Sequence, residues 1–287
     1  MTDEEQIREL VERWARAVHA GDLDTVLADH AEDIVMFDVP PPYEGVRGKA
    51  AYRDTWPGFF EWQAQGAVFE IVELDVTAGG DVAYAYALLR CGTEGDFARE
   101  PEQRLRLTVG LRKQDGRWVV THEHHSFSDT DTAATGDTGD TADSADSADD
   151  GGGGEAAVRA VHDDWSDATE ARDLDRLMAH IADDVVSYEH EAPLRYVGVA
   201  AVREACRRGL DAAPGSVGFT VPDLEVLVRD DLAVAWGLNR LAADGTQSWS
   251  RGTRVFRRVG GSWVMVHQHV SFPYHPQTGR AATDLAP

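Results

Sequence analysis

Cysteine is scarce in this 287-residue chain, with Cys91 and Cys206 its two thiols. They fall at unrelated places, fit no metal-ligand spacing and build no disulfide framework, so both read as reduced, partly buried side chains. Lysine is as scarce: among 27 basic residues only Lys49 and Lys113 are lysines, against 51 acidic residues and a net charge of −24. Phosphate binding needs clustered positive charge, so nucleic acid is excluded as a partner, and so is an anionic membrane surface. No apolar run approaches the ~18 residues of a membrane span. The stretch MTDEEQIREL has neither a basic nor an apolar leader region, so a soluble, cytoplasmic protein is expected. There is no Walker loop, no G-x-G-x-x-G and no G-x-S-x-G elbow, which disfavours nucleotide-cofactor enzymes and serine hydrolases. Acid surplus with little Lys suits a halophilic cytosol, where salt screens carboxylate repulsion. A GC-rich genome produces the same bias.

What the chain does have, it has twice. Residues 117–127 read RWVVTHEHHSF and residues 262–272 read SWVMVHQHVSF, with Trp, Val, His, His, Ser and Phe identical. The repeat extends backwards. Trp165 matches Trp14, Asp173-Leu174 matches Asp22-Leu23, Tyr196-Val-Gly198 matches Tyr43-Glu-Gly45, and Arg251-x-Thr253 matches Arg106-x-Thr108. Length and repeat together make a duplicated domain. Residues 128–154 are rich in Asp, Thr, Ser and Gly and carry nothing apolar larger than Ala. Such a stretch cannot offset the entropy of ordering and is expected to be a flexible, acidic linker. The expected division is therefore 1–127, the linker 128–154, a second domain 155–275 and a flexible tail 276–287.

Ile7, Leu10, Val11, Trp14 and Val18 recur at helical spacing, with Thr2 or Asp3 to cap the start and Gly21 to end it. A short helix at 22–30, a strand at 34–38 and a third helix around 48–62, bent or interrupted at Pro57, come next. From residue 67 the period changes to two: 68–76, 82–90, 103–113 and 118–127 read as strands separated by turns. Helices followed by a run of antiparallel strands make an α+β domain. The third helix of the second half lacks the Trp and Phe of the first, so the two interiors are expected to differ in size.

The first-helix Trp followed by Gly21-Asp22-Leu23 or Arg172-Asp173-Leu174, the strand leading to Tyr-x-Gly, and the closing Gly-x-Trp-Val-x-x-His-x-His-x-Ser-Phe strand together resemble the SnoaL-like branch of the nuclear-transport-factor-two/ketosteroid-isomerase superfamily. The resemblance implies two tandem cone-shaped domains, each with three helices packed on a curved antiparallel sheet around a cavity, and an internal pseudo-dimer of the two. It implies proton transfer (isomerisation, cyclisation or dehydration) on a small apolar, carbonyl-bearing compound. The isomerase's general-base Asp has its counterpart in Asp38, whose partner in the second half is Glu189. The isomerase's first-helix Tyr is replaced by Trp14.

By strict alternation His122 and His124 share a face with Trp118 and Val120, and His267 and His269 share one with Trp263 and Met265. An imidazole beside an apolar cavity can act as acid or base, so Asp38, His122 and His124 form the candidate catalytic set. Trp14, Tyr84, Arg106, Trp118, Trp165, Glu189, Trp236, Arg251, His267 and His269 form the candidate ligand-binding set. The competing reading keeps the same His and Arg as structural groups in a binding or dimerisation module. Two same-face His with Asp38 or Glu189 resemble a two-His-one-carboxylate metal set, but nothing in the spacing supports one. No metal and no cofactor are expected.

Overall fold

The computed structural model describes residues 1–129, 153–213, 215–243, 245–275, 278, 280–284 and 286–287. They cluster into two compact units, Met1–Ser128 and Asp129–Pro287. The expected linker falls, for the most part, outside the described residues.

In unit 1, α1 (Asp3–Ala20), α2 (Leu23–Ala28) and α3 (Lys49–Gln63) pack on a sheet of β1 (His30–Phe37), β2 (Val46–Arg47), β3 (Val68–Ala78), β4 (Val82–Gly92), β5 (Leu105–Gln114) and β6 (Arg117–Ser126), with α4 (Glu94–Arg99) between β4 and β5. Helix α1 begins where Thr2 and Glu5 cap each other's backbone N–H groups, and ends at Gly21, which takes the left-handed conformation at φ 71°. Its apolar stripe, Ile7, Leu10, Val11, Trp14 and Val18, is buried. Helix α3 runs through Pro57 without interruption. The strand order is β2-β1-β6-β5-β4-β3. The sheet is antiparallel except where β6 lies parallel to β1. Residues 94–99, which read as turn, close a helix because Thr93 and Asp96 form a second reciprocal cap. Register breaks in the β1/β6, β3/β4 and β5/β6 pairs bend the strands and increase their twist, wrapping the sheet around the helices.

Unit 2 repeats the plan with α5 (Gly154–Glu170), α6 (Leu174–Met178), β7 (Ile181–Tyr188), β8 (Tyr196–Val197), α7 (Val199–Ala212), β9 (Val217–Thr220), β10 (Glu225–Arg229), β11 (Leu232–Ala243), β12 (Thr246–Val259) and β13 (Ser262–Ser271). Its order is β10-β11-β12-β13-β7-β8, with β9 also on β11. The strand that is continuous as β3 in unit 1 is here split around Pro222, which has no N–H to give the ladder. Beside it the Asp223 carboxylate accepts the Leu238 N–H at 2.7 Å, where a strand carbonyl would otherwise do so. Part of the expected tail is fastened down: Ala282 is fully buried and its N–H donates to the Pro273 carbonyl at 2.7 Å. Among the described residues no helix is long and apolar enough to cross a membrane.

Candidate functional site

One extra residue decides which side chains face the helices. β5 and β6 pair Leu111 with Val120 and then Gly110 with His122, leaving Thr121 as a bulge whose hydroxyl donates to the Gly110 carbonyl at 3.2 Å. β13 takes the same step, with Phe256 opposite Met265, Val255 opposite His267 and Val266 as the extra residue. A bulge inverts the alternation beyond it. The expectation that Trp118, Val120, His122 and His124 share a face is therefore corrected. Trp118 and Val120 lie in the core under the helices, and Glu123 and His125 join them there. His122, His124 and Ser126 turn to the opposite face. Likewise Met265 is followed on the inner face by Gln268 and Val270, while His267, His269 and Ser271 turn outward.

The outward set is built alike in both units. Phe37 stands edge-on to His122 and His124, with ring centroids 5.2 and 5.3 Å away; Tyr188 does the same to His267 and His269, at 5.2 Å each. Burial pushes the His122 and His267 imidazoles down to about 3, so both are neutral. Arg106 and Arg251 are fully buried on this face, with Arg106 donating to the Ser126 hydroxyl at 3.0 Å and the Phe127 carbonyl at 3.1 Å. Tyr84 and Trp236 face outward too, because Ala83, Ala85, Ala233 and Ala235 take the inner positions of their strands.

Inside unit 1 sits a buried polar network. The Glu123 carboxylate accepts from His30 Nε2 at 2.7 Å, Tyr52 Oη at 3.1 Å and His125 Nε2 at 3.0 Å. Trp14 Nε1 donates to Tyr52 Oη at 3.2 Å, and Asp38 Oδ1 lies 3.9 Å from His125 Nδ1. Burial opposes the charge of Glu123, but the His30 imidazole beside it and the hydrogen bonds from His125 and His30 hold its carboxyl down at about 2. Burial likewise opposes charge on His125, and the Glu123 carboxylate overcomes it, raising the imidazole above its ordinary value. So strongly held a carboxylate is a weak base. The member suited to exchanging protons is His125, between Glu123 and the quarter-exposed Asp38. Around this network Trp14, Trp56, Phe59, Phe60 and Phe69 interlock, with Trp14–Trp56 centroids at 6.2 Å and Trp56–Phe60 at 5.8 Å.

Unit 2 differs in both respects. Helices α3 and α7 start alike, at Gly48 and Gly198 with φ of 84° and 85°. Counting from there, Tyr52, Trp56, Phe59 and Phe60 become Val202, Cys206, Gly209 and Leu210. The small side chains leave a cavity of about 640 Å³, bordered by Trp165, Val202, Cys206, Leu210, Phe219 and Met265. Glu189, Asn239, Ser250, Arg254 and Gln268 also border it. Arg254 Nε donates to Gln268 Oε1 at 3.1 Å and its Nη2 to Asn239 Oδ1 at 2.9 Å. Gln268 Nε2 donates onward to Glu189 Oε1 at 2.9 Å and Ser187 Oγ at 3.2 Å. In register, Gln268 takes the place of Glu123, Arg254 of Val109, Ile181 of His30 and Val270 of His125.

Of the residues singled out in the sequence, Trp165 and Glu189 border this cavity. Trp14 and Trp118 lie in the unit 1 core and Asp38 meets His125. Tyr84, Arg106, His122, His124, Trp236, Arg251, His267 and His269 lie on the outward faces. Sequence reasoning missed His30, Tyr52, Glu123, His125, Arg254 and Gln268. Comparing the two halves residue by residue exposes the Glu123/Gln268 and Val109/Arg254 exchanges as a swap of charge between equivalent interiors. Among the described residues no group of three or more His, Cys, Asp or Glu is arranged to hold a metal ion.

A model of the SnoaL-like domain family matches the chain twice, over residues 7–130 and 158–275. No curated protein matches it. Among solved structures, an NTF2-like protein of unknown function from Pseudomonas putida is 30% identical, the match covering 46% of this chain and 96% of that one at a TM-score of 0.44. An NTF2-like protein with a cystatin-like fold from Novosphingobium aromaticivorans is 21% identical over 43% of this chain and 80% of its own, with a TM-score of 0.36. A protein of unknown function with a cystatin-like fold from Nostoc punctiforme is 12% identical over 43% and 94%, with a TM-score of 0.37.

Proposed function

The chain belongs to the SnoaL-like domain family, and from that premise we propose that its second unit is a binding chamber for one small, largely apolar molecule. The observation that carries this is the cavity of about 640 Å³, apolar on most of its wall, with the hydrogen-bonded Arg254–Gln268–Glu189 row among the polar groups that border it. A space of this size with a few convergent polar groups is what a small-molecule site looks like. The test is calorimetric titration of the full chain with 2-naphthalenemethanol, a neutral bicyclic probe, against the wild type and Cys206→Trp. That variant restores at position 206 the residue unit 1 carries at the equivalent place, Trp56, and fills the cavity. Binding to the wild type and none to the variant is expected; equal binding to both rejects the chamber.

A second reading, proton transfer on a carbonyl compound, is favoured by one arrangement in unit 1: Asp38 beside His125, itself bonded to the buried Glu123. There Asp38 is the base and His125 the group that returns the proton. Hydrogen–deuterium exchange at the α-carbon of cyclohexanone, followed by NMR, tests it. Catalysed exchange lost in Asp38→Asn supports the reading, and exchange no faster than buffer rejects it.

A further inference from the structure

We infer that the unit 2 cavity recognises a carboxylate: its ligand is an apolar monocarboxylate whose acid group seats on the Arg254 guanidinium. The inference rests on the chamber reading above and specifies what the chamber holds.

The argument starts from an imbalance of charge. Arg254 is 5% exposed. Its guanidinium lies over the rings of Phe219 and Trp165, 5.4 and 5.8 Å from their centroids. A guanidinium has five N–H donors, and two of them are satisfied here, by the Gln268 and Asn239 amide oxygens at 3.1 and 2.9 Å. Both acceptors are neutral. Among the described residues no carboxylate oxygen lies within ion-pair distance of Arg254, whereas Arg159, Arg176, Arg203 and Arg207 of the same unit, all more exposed, each have at least one carboxylate partner. A buried cation with no counter-ion in contact is costly. Burial pulls Arg254 down to about 10, which still leaves it charged at neutral pH.

The surroundings hold that charge open. Gln268 points its oxygen at Arg254 and its NH2 at Glu189 and Ser187. Asn239 points its oxygen at Arg254 and its NH2 at the Ser250 hydroxyl, 3.1 Å away. Each amide is pinned from behind, so neither can turn away from the guanidinium. The Glu189 carboxylate favours the charged guanidinium from a distance, but the Gln268 amide, bonded to both, stands between it and Arg254. Gly252 clears the space alongside: a Cβ there would fall 2.9 Å from Arg254 Nη1 and 2.7 Å from the Asn239 amide. The remaining guanidinium donors, those of Nη1 and one of Nη2, are a fork suited to both oxygens of one carboxylate. Glu189 borders the same cavity and repels a second anionic group, so a monoanion is favoured. The apolar wall takes the ligand body. Unit 1 offers no counterpart, since Val109 and Glu123 occupy the places of Arg254 and Gln268.

The experiment compares 2-naphthoate with 2-naphthalenemethanol, the same rings with and without charge, by calorimetric titration of the full chain and of Arg254→Gln and Arg254→Lys. Naphthoate is expected to bind the wild type at least about tenfold more tightly, the weight of one charge-assisted hydrogen bond. In Arg254→Gln that preference disappears, and Arg254→Lys, which keeps the charge but not the fork, falls between. If the alcohol binds and naphthoate binds no better, or if the variants lower both affinities equally, Arg254 is a structural group and the inference is overturned while the chamber stands. If neither compound binds, the chamber reading falls and takes this inference with it.

Discussion

Replacing Glu123 by Gln changes one charge at the centre of unit 1 and little else. The side-chain volume is kept, and the Gln carbonyl oxygen can still accept from His30 and Tyr52. Lost is the ionised carboxylate that His30 and His125 hold at about 2 against an ordinary 4.5. At about 1.4 kcal/mol per pH unit, that difference is worth about 3 kcal/mol of stability at neutral pH. A folded value below the unfolded one means that protonation favours the unfolded chain. The contribution is therefore complete above about pH 4.5 and is lost as pH falls toward about 2. The variant should thus lie about 3 kcal/mol below wild type at pH 7, with the gap closing between pH 4.5 and 2, where wild-type Glu123 becomes an uncharged isostere of Gln. Hydrogen exchange of β1 and β6 peptides in graded urea, read by mass spectrometry on the full chain, reports unit 1 by itself. Acid-labile groups away from Glu123 cancel because only the difference between the two proteins is read. His125, which the Glu123 carboxylate raises, does not cancel, and its protonation adds to the gap as pH falls toward 4.5. A gap below about 1 kcal/mol at pH 7, the net worth of an ordinary hydrogen bond, refutes the reasoning, as does a gap that does not change on acidification.

Three further outcomes follow from the packing. Trp56→Ala removes the ring that meets Trp14, Tyr52, Phe59 and Phe60 and should cost about 3–5 kcal/mol, measured by urea unfolding. His122 is held neutral, at about 3 against an ordinary 6.5, so its contribution is complete above pH 6.5 and wanes as pH falls toward 3. His122→Asn should flatten that limb of a melting-temperature profile between pH 7 and 4, and an unchanged slope counts against a buried neutral imidazole. Gly45 sits at φ 81° with its Cβ direction 2.7 Å from the Met36 carbonyl oxygen and the Phe37 ring. Gly45→Ala should destabilise by more than the ~1 kcal/mol of an ordinary Gly/Ala exchange, checked by thermal melting.

Much of the architecture was legible along the chain. Helical spacing from Ile7 to Val18 marked α1, Thr2 and Gly21 marked its ends, and the repeated closing strand marked the duplication. These are local signals, set by periodicity and by backbone preferences of single residues, and they survive without knowledge of the partner strands. The loss of Tyr52, Trp56, Phe59 and Phe60 from the second half was equally plain, and with it the reason that unit 2 has room for a cavity.

The interior chemistry was not legible in the same way. Reading β6 and β13 as unbroken alternations put His122, His124, His267 and His269 inside and left Glu123, His125 and Gln268 outside. A single bulged residue, Thr121 or Val266, reverses that order, and the bulge is a property of how β5 pairs with β6 and β12 with β13. Partners far apart in sequence also stayed hidden: His30 and Glu123 are 93 residues apart, and Tyr52 and Glu123 71. The chain by itself determined two α+β units and an unequal pair of interiors, because those depend on residue type and spacing. Only the tertiary structure decided which groups meet inside them, because strand register and long-range approach are settled when the sheet closes over its helices.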